Sequence, residues 1–503
     1  MKPDRIFKES EVEALKTQLN GNVLCSSDDG YQAARGVYNA MIDRYPALIA
    51  ICTEPADVVD AVNFAREHRL TVAVRGGGHS AAGYGTCDGG LVIDLSRMKR
   101  VHVNPNERTV RVEGGCTLAD LDRATNPFGL AVPAGLISTT GVGGLTLGGG
   151  LGHLTRKYGL TIDSLLGIEL VLADGSTIKA SATENEDLFW AVRGGGGNFG
   201  IATSFLFRSY PVSTVYGGPM LWHLDRAENI MRFYRDFILS APRDISGFFA
   251  FLTVPPGPPF PEHLHLQKMC GVIWCYSGEL DQAERVFKPI RQANPPDLDL
   301  VGPMPYPTFQ SMFDPSAPPG IQQYWRSDFV NELSDDAIRM HVNYARRMPT
   351  MLSTVHLYPI NGAAHDIGNE ETAFSFREAN WVQMIIGADP DPSNNEEIIS
   401  WTKDYWQALH PYSAGGAYVN FLMDEGNERV KTTYRDNFDR LDRENRIRPD
   451  QLLSPQPKYR ANRLIKKPAL AIKSVDTNLN RKIAQRLLSD QRSRRDSNPR
   501  SRP

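Results

Sequence analysis

The chain has little of what marks several large protein classes. It has only six cysteines in 503 residues and no CxxC pair, which argues against a disulfide framework. No stretch approaches the roughly 18 uninterrupted apolar residues of a membrane span. The polar start MKPDRIFKESEVEALK lacks the apolar core of a signal peptide. These absences exclude a disulfide-rich secreted domain and a membrane bundle, so we expect a soluble cytoplasmic protein with no membrane partner.

Several catalytic motifs are also missing. No P-loop, HExxH or GxSxG pattern occurs, so nucleotide hydrolysis, zinc proteolysis and serine-hydrolase chemistry lack support, and we predict no metal site. Apolar residues make up 41% and charged residues 22% of the chain, as in an ordinary globular protein. The length allows two to four domains.

Positive charge is concentrated at the C-terminus. The net charge is -3, yet residues 441–503 carry 17 Lys and Arg against 6 Asp and Glu. The acidic remainder lacks the clustered cations that bind a phosphate backbone, so we predict no nucleic-acid partner. The oligomeric state cannot be inferred.

Glycine, in contrast, is abundant and clustered. Of 43 glycines, 26 lie between Gly76 and Gly200. Glycine allows the closest approach of backbone to a neighbour, so the clustering predicts backbone passing very close to something large.

Three glycine blocks carry this signal. The first, RGGGHS at 75–80, follows a predicted strand, so its bare amides can converge on an anion such as a pyrophosphate. The second, GLISTTGVGGLTLGGGLGHLTRKYG at 135–159, adds hydroxyl groups suited to a phosphate or a flat ring. The third, RGGGGNFG at 193–200, contains a formal GxGxxG between a predicted helix and a predicted strand. That order is the reverse of the dinucleotide fingerprint, so we reject a Rossmann interpretation.

Short strands mixed with helices predict an α+β fold without a regular βαβ rhythm. The pattern predicts a helix over 56–69, a strand over 71–75, and hairpins over 101–113 and around Asp174-Gly175. Beyond Pro211 glycine becomes rarer, and we predict proline-rich surface connections at 255–263 and 295–310.

The three blocks, in this order, resemble the FAD-linked oxidases of the vanillyl-alcohol-oxidase fold, and more narrowly the berberine-bridge-enzyme-like group with bacterial relatives such as 6-hydroxy-D-nicotine oxidase. The resemblance covers residues 45 to about 440. It implies a PCMH-type FAD-binding domain in 1–210 and an α/β substrate domain in 211–410, whose antiparallel sheet lies over the flavin. A segment at 411–441 would return to the FAD domain.

The resemblance also implies the site residues. His79 would be covalently joined to the flavin 8α-carbon, and Ile137, where some relatives have a second linking cysteine, leaves a single bond. Tyr324 and Trp325 would approach the substrate, while the role of His153 stays open. The other implied cofactor contacts are Arg75, Gly76, Gly77, Gly78, Ser80, Gly83, Gly135, Ser138, Thr139, Thr140, Gly141, Gly143, Gly144, Gly148, Gly200, Ile201 and Asn420.

The implied reaction is hydride transfer from an alcohol or amine carbon of a small molecule to FAD, which O2 reoxidises to give H2O2. Tyr418, in the motif Tyr418-Val419-Asn420, is the candidate base. Two alternatives stay open: a dehydrogenase that uses another electron acceptor, and a non-catalytic remnant.

The second alternative arises from the basic tail at 442–503, which departs from the family pattern. Reading codons permitted for Asp442 to Arg460 one nucleotide later gives IAKTEYDPTNFFRLNQNI, which restores a family ending. We hypothesise that the reading frame changes near Leu441, and sequencing the transcript across codons 435–465 tests this.

Overall fold

The fold is taken from a computed structural model that describes residues 7–447, with side chains described through residue 444. The sequence hypothesis about the basic tail concerns residues that, from 448 onward, lie outside this range. Within the described range no helix has both the length and the apolar character needed to cross a bilayer.

Fourteen α-helices lie in the described residues. They are α1 Glu9–Gln18, α2 Tyr31–Arg35, α3 Pro55–Glu67, α4 Leu118–Thr125, α5 Val142–Leu147, α6 Thr155–Tyr158, α7 Glu186–Val192, α8 Ala227–Ser240, α9 Ala283–Ala293, α10 Tyr306–Gln310, α11 Asp335–Ala345, α12 Asn395–Leu409, α13 Asn427–Tyr434 and α14 Asn437–Ile447.

Nineteen strands accompany these helices in the same residues. They are β1 Asn22–Cys25, β2 Leu48–Ile51, β3 Val72–Arg75, β4 Leu91–Asp94, β5 Val101–Asn104, β6 Thr109–Glu113, β7 Leu130–Ala131, β8 Leu165–Val171, β9 Thr177–Ser181, β10 Ile201–Arg208, β11 Tyr210–Pro211, β12 Thr214–His223, β13 Ile245–Thr253, β14 Lys268–Tyr276, β15 Leu298–Asp299, β16 Gly302–Pro305, β17 Gln322–Val330, β18 Thr354–Pro359 and β19 Trp381–Asp389.

Local sequence signals explain several helix starts. Pro55 occupies the first position of α3, where its fixed φ fits and its missing N–H costs nothing. The Thr117 hydroxyl accepts a hydrogen bond from the Asp120 amide at the start of α4, and Ser334 does the same for the Ala337 amide at α11. The predicted helix and strand before the first glycine block are both present as α3 and β3.

The first half of the chain forms two larger sheets and a two-stranded sheet of β7 and β11. One has the order β1-β2-β4-β3, and the other has the order β5-β6-β10-β8-β9 with all neighbours antiparallel. Strand β4 pairs in parallel with β2 and β3, whereas the sequence pattern predicted antiparallel strands here. The α+β class is confirmed, with this parallel element added because α3 provides the crossover between β2 and β3.

The second half forms an antiparallel sheet of eight strands, with β15-β12-β14-β13-β18-β19-β17 in order and β16 paired to β12. Side chains alternate between its two faces. Phe249 and Phe251 belong to a core shared with helices α8, α9, α11 and α12. Phe248 and Ala250 alternate with these two residues on β13. They belong to a different cluster, which faces the glycine-rich half.

The prediction of a surface connection at 295–310 is wrong. This stretch contains β15, β16 and α10, and the side chains of Tyr306, Phe309 and Gln310 are buried. Its prolines suggested an exposed linker, but Gly302–Pro305 pairs along the edge of the sheet, where a missing amide is tolerated.

Residues after α12 pack back against the first half. Leu441 is fully buried in a cluster that includes Leu188 and Trp190 of α7. Arg440 adds an ion pair to Asp187 at 2.7 Å. The last family-like residues are therefore held by the glycine-rich half of the molecule.

Candidate functional site

A cavity of about 780 Å³ lies between the glycine-rich half and the eight-stranded sheet. One wall is formed by the three glycine blocks and the segment around Asn420, and the other wall is formed by the sheet and its loops. The predicted site residues that line it are Arg75, Gly76, Gly77, Gly78, His79, Ser80, Gly135, Thr140, Gly141, Gly143, Gly144, Gly200, Ile201, Trp325, Tyr418 and Asn420.

His79 lies at the end of the first glycine turn, half-buried in the cavity wall. Its ring stacks on Tyr38 with centroids 4.1 Å apart, and its Nε2 lies 2.9 Å from Thr139 Oγ1. Nδ1 has a weaker contact of 3.4 Å with Thr140 Oγ1. Desolvation lowers the pKa of His79 to about 4, so the ring is neutral and holds a lone pair at neutral pH. Thr139, which does not line the cavity, orients this ring.

The turn before His79 offers bare amides. In the described part of the chain, the N–H groups of Gly77, Gly78 and His79 donate no hydrogen bond. Gly78 has φ +71°, a conformation that favours glycine. Consecutive amides in such a turn form a concavity that binds anions.

The Arg75 guanidinium already donates hydrogen bonds to other groups of the protein. Its Nη2 donates to Asp94 Oδ2 at 2.7 Å, and its Nη1 donates to the carbonyl of Gly36 at 3.1 Å. The predicted role of Arg75 as a direct cofactor contact is therefore not favoured, although its stem lines the cavity. Its paired charge fixes β3 to β4 just before the glycine turn.

Two of the glycines predicted to contact the cofactor pack closely against other parts of the protein. A Cβ at Gly83 would collide with the side chain of Ile42, and a Cβ at Gly148 would collide with the amide of Asn420. Neither glycine lines the cavity. Close packing of protein accounts for glycine at both positions, so a cofactor contact is not favoured at either and stays a prediction.

Ser138 and Tyr324 are also directed elsewhere. The Ser138 amide and hydroxyl both donate to the carboxylate of Asp314, the amide at 2.9 Å. The Tyr324 ring lies under the cations of Arg326 and Lys403, the latter on α12. Neither lines the cavity. Neighbouring residues of a strand point to opposite faces, so Trp325 lines the cavity and Tyr324 does not.

Tyr418 lies in the wall with its phenol oxygen surrounded by donors. The oxygen accepts hydrogen bonds from the Gly150 amide and from Asn420 Nδ2, both at 2.8 Å. Burial raises the pKa of Tyr418 to about 12, so it keeps its proton at neutral pH. The prediction that Tyr418 is the base stays a prediction, and the raised pKa weighs against it.

His153 does not reach the cavity wall. It is buried with its ring centroid 4.3 Å from that of Phe309, and burial lowers its pKa to about 3. It is therefore a neutral histidine among aromatic rings.

Sequence reasoning missed a polar group on the opposite wall. Thr354, His356 and Tyr358 of β18 all line the cavity. His356 Nδ1 lies 2.5 Å from Tyr358 Oη, and its Nε2 lies 3.0 Å from Thr354 Oγ1. The available signal was the alternation of polar and apolar residues in TVHLYP.

The remainder of the sheet wall is largely apolar. Within the described residues, no Asp, Glu, Lys or Arg from the eight-stranded sheet or its loops lines the cavity. The apolar lining from this side includes Phe248, Leu252, Phe260, Met304, Phe313 and Ile386.

The glycine wall fits FAD. The bare amides suit a pyrophosphate, and a Cβ at Gly144 would meet no atom within 4 Å, which leaves space for a flat ring. Ile137 lines the cavity where a second linking cysteine would stand, and none of the six cysteines lines it. A glycine-rich wall that fits a flavin and faces an antiparallel sheet is the arrangement expected of a flavin-binding oxidoreductase.

Comparisons with known proteins agree. Residues 46–181 match the FAD binding domain family. The uncharacterized FAD-linked oxidoreductase YgaK of Bacillus subtilis is 31% identical over 454 residues, which cover 88% of this chain and 98% of YgaK. This chain belongs to the FAD-linked oxidoreductase family and binds FAD.

Solved structures extend the similarity to the whole fold. The crystal structure of 6-hydroxy-D-nicotine oxidase from Arthrobacter nicotinovorans has a TM-score of 0.76 and 25% identity, over 86% of this chain and 96% of that one. A structure of berberine bridge enzyme has a TM-score of 0.76 and 20% identity, over 89% of this chain and 98% of that one. The PCMH-type fold predicted from the glycine blocks is confirmed.

Proposed function

We propose that this chain is an FAD-dependent oxidase that oxidises an alcohol or amine carbon of a small molecule and passes the electrons to O2, which gives H2O2. Bound FAD would supply the hydride acceptor. In this proposal residues 1–210 and 411–441 hold the cofactor, and residues 211–410 hold the substrate. The single observation that carries the proposal is the position of His79 in the glycine wall.

His79 is suited to hold FAD through one covalent bond. The stacking on Tyr38 and the short contact from Nε2 to Thr139 Oγ1 fix the ring plane. Nδ1 is the less engaged nitrogen, so we propose that it bonds to the flavin 8α-carbon. A neutral ring leaves that lone pair available, and a tether prevents loss of the cofactor.

The covalent bond is tested on the full chain with a matched histidine control. Wild-type protein is expected to stay yellow after acid precipitation and to show a fluorescent flavin band after denaturing electrophoresis. His79→Ala is expected to lose that band, whereas His102→Ala, at an exposed strand position, keeps it. A denatured wild-type chain that releases all its flavin contradicts the tether.

The oxidase reaction is tested separately. Secondary alcohols, cyclic amines and sugars are mixed anaerobically with the protein, and bleaching of the flavin absorbance is recorded. Oxygen is then admitted, and peroxide is measured. We expect one mole of peroxide for each mole of flavin reoxidised. Slow recovery in oxygen with fast recovery on an artificial dye would identify a dehydrogenase instead.

A further inference from the structure

The sheet wall carries a hydrogen-bonded row of polar side chains. Thr354, His356 and Tyr358 alternate along β18 with Val355 and Leu357, which pack into the core beneath the helices. Because alternate residues of a strand share one face, the three polar groups stand together on the cavity face. They are the polar centre of a wall that is otherwise mostly apolar.

The protons of this row can be assigned by counting donors. The Thr354 hydroxyl has one proton, and the carbonyl of Phe251, 2.7 Å away, can only accept it. The Thr354 oxygen is then the acceptor for His356, so the imidazole proton is on Nε2. Nδ1 of the neutral ring is left as an acceptor, and the Tyr358 hydroxyl donates to it at 2.5 Å. This is the arrangement of a base held in one tautomer by a third group.

Tyr358 also stands near the flavin wall. Its ring centroid lies 5.9 Å from that of Phe421, and the Phe421 centroid lies 4.8 Å from that of Tyr418. The phenol oxygen of Tyr358 donates to His356 and accepts from no side chain in the described residues. It is therefore open to a substrate hydroxyl, in contrast to the Tyr418 oxygen with its two donors.

We propose that Tyr358 and His356 form a proton relay that takes the O–H proton of an uncharged, largely apolar alcohol, with Thr354 as a positioning residue. The assignment rests on the proposed function, which supplies the hydride acceptor. As the carbon loses its hydride, the substrate O–H bond breaks and its electron pair forms the C=O bond. The proton passes to Tyr358 Oη, and the proton that Tyr358 held passes to His356 Nδ1.

The environment suits this chemistry. Burial lowers the pKa of His356 to about 3, so Nδ1 keeps its lone pair throughout the physiological range. A weak base is sufficient, because the hydroxyl of a carbon that is losing a hydride becomes strongly acidic. A cationic substrate would enter an apolar wall with no carboxylate from the sheet to pair with it, which is costly.

The tautomer is tested without turnover. The chain has 11 histidines, so 15N-histidine NMR spectra of the wild-type holoenzyme and His356→Gln are compared to assign the His356 signals. We expect a neutral ring protonated on Nε2, with its Nδ1 signal shifted in Tyr358→Phe. Thr354→Val is expected to populate the other tautomer, whereas Thr354→Ser keeps the original one. A ring protonated on Nδ1 in the wild type overturns the relay.

The relay itself is tested by anaerobic flavin reduction with 1-phenylethanol and, as its cationic counterpart, 1-phenylethylamine. Tyr358→Phe is expected to lower the limiting reduction rate constant about 100-fold or more with the alcohol, in the range typical of a general base. His356→Gln, whose carbonyl accepts a hydrogen bond but does not take the proton, is expected to lower it about 10-fold or more. Thr354→Ser should keep most of the reduction rate constant that Thr354→Val loses.

The outcomes separate the two proposals. The relay is supported if every variant carries the same amount of covalent flavin and the reduction rate constants fall as stated. Unchanged rates in Tyr358→Phe, with a large loss in Tyr418→Phe, overturn it in favour of Tyr418. If the amine reduces the flavin and the alcohol does not, or if neither reduces it, the proposed substrate class is overturned. Absence of covalent flavin from the wild type contradicts the proposed function instead, and the NMR result on His356 is read independently.

Discussion

Arg377 and Asp163 face each other through two parallel hydrogen bonds, with each guanidinium Nη 2.8 Å from a carboxylate oxygen. The side chains are only 3% and 7% exposed. The same carboxylate accepts the amide of Leu160, so one Asp joins the end of the second glycine block to the loop between β18 and β19. The glycine wall and the sheet wall are thereby tied at a buried point.

Breaking this pair is expected to cost much stability. Arg377→Met leaves the Asp163 carboxylate buried without its cation, and such changes typically lower the free energy of unfolding by about 3–5 kcal/mol. The matched control is Arg243→Met, which removes a similar two-bond pair with Asp366 whose side chains are 51% and 55% exposed. The control should cost less than about 1 kcal/mol. Denaturant unfolding of both variants measures the difference, and equal losses would contradict the role of burial.

The contact between Gly148 and Asn420 predicts a specific clash. Gly148→Ala places a methyl group into the Asn420 amide, which also donates to the Leu145 carbonyl at 2.9 Å. Overpacking of this kind typically costs about 1–3 kcal/mol. The double variant with Asn420→Ala should recover part of the loss, whereas Gly302→Ala, at an edge-strand glycine where a Cβ would meet no atom within 4 Å, should leave the melting temperature nearly unchanged. Thermal unfolding of the wild type, the two single variants, the double variant and the glycine control tests the coupling, and strictly additive losses would argue against it.

Asp122 predicts a pH-dependent stability. It is 2% exposed, and neither carboxylate oxygen has a hydrogen-bond partner among the described residues. Burial raises its pKa to about 8. The folded state therefore keeps a proton that the unfolded chain releases near pH 4, so stability falls as pH rises from about 4 to about 8, by on the order of 1 kcal/mol per pH unit.

Asp122→Asn is expected to remove this slope and to raise stability at pH 8 more than at pH 5. The neighbouring Asp120→Asn is the control. Burial raises the Asp120 pKa, but hydrogen bonds from Thr117 and Lys99 outweigh it and hold the pKa below its usual value. The stability that Asp120→Asn loses should therefore be similar from pH 5 to pH 8. Guanidinium unfolding at three pH values checks both variants, and an unchanged slope in Asp122→Asn would refute the assignment.

Removing the Tyr418 hydroxyl should affect folding more than chemistry. Tyr418→Phe leaves the buried N–H groups of Gly150 and Asn420 without their acceptor, which typically costs about 1–3 kcal/mol. We expect the limiting rate of flavin reduction to fall less than about 10-fold. Tyr45→Phe, at an exposed tyrosine, serves as the control for stability. A rate loss above 100-fold with unchanged stability would return Tyr418 to the role of base.

Much of the fold follows from local patterns, since the glycine blocks and hairpins depend on short-range sequence. The parallel pairing of β4 does not, because it depends on which distant strands become neighbours. Residue types located the glycine wall of the cavity, but they did not separate Gly144, which faces open space, from Gly148, which makes room for Asn420. That distinction needs the tertiary contact itself.

The residues of the sheet wall were harder to predict for a similar reason. Tyr324 and Trp325 are adjacent in sequence, and only the sheet register shows which one faces the cavity. His356 and Tyr358 alternate with apolar residues in a short strand, and a single histidine in such a strand is a weak signal for a functional site. Their position in the cavity appears only when β18 is placed opposite the glycine wall.

The two-walled cavity has a consequence for how this enzyme can change. The glycine wall comes from the three glycine blocks and the segment around Asn420, and most of the apolar lining comes from the eight-stranded sheet, whose other face is already packed by helices. A substitution at an inward position such as Phe248 or Met384 therefore alters the shape offered to a ligand without disturbing the redox centre. New substrate preferences are accessible through single exchanges on one face of the sheet, and libraries confined to those positions should retain flavin in most of their members.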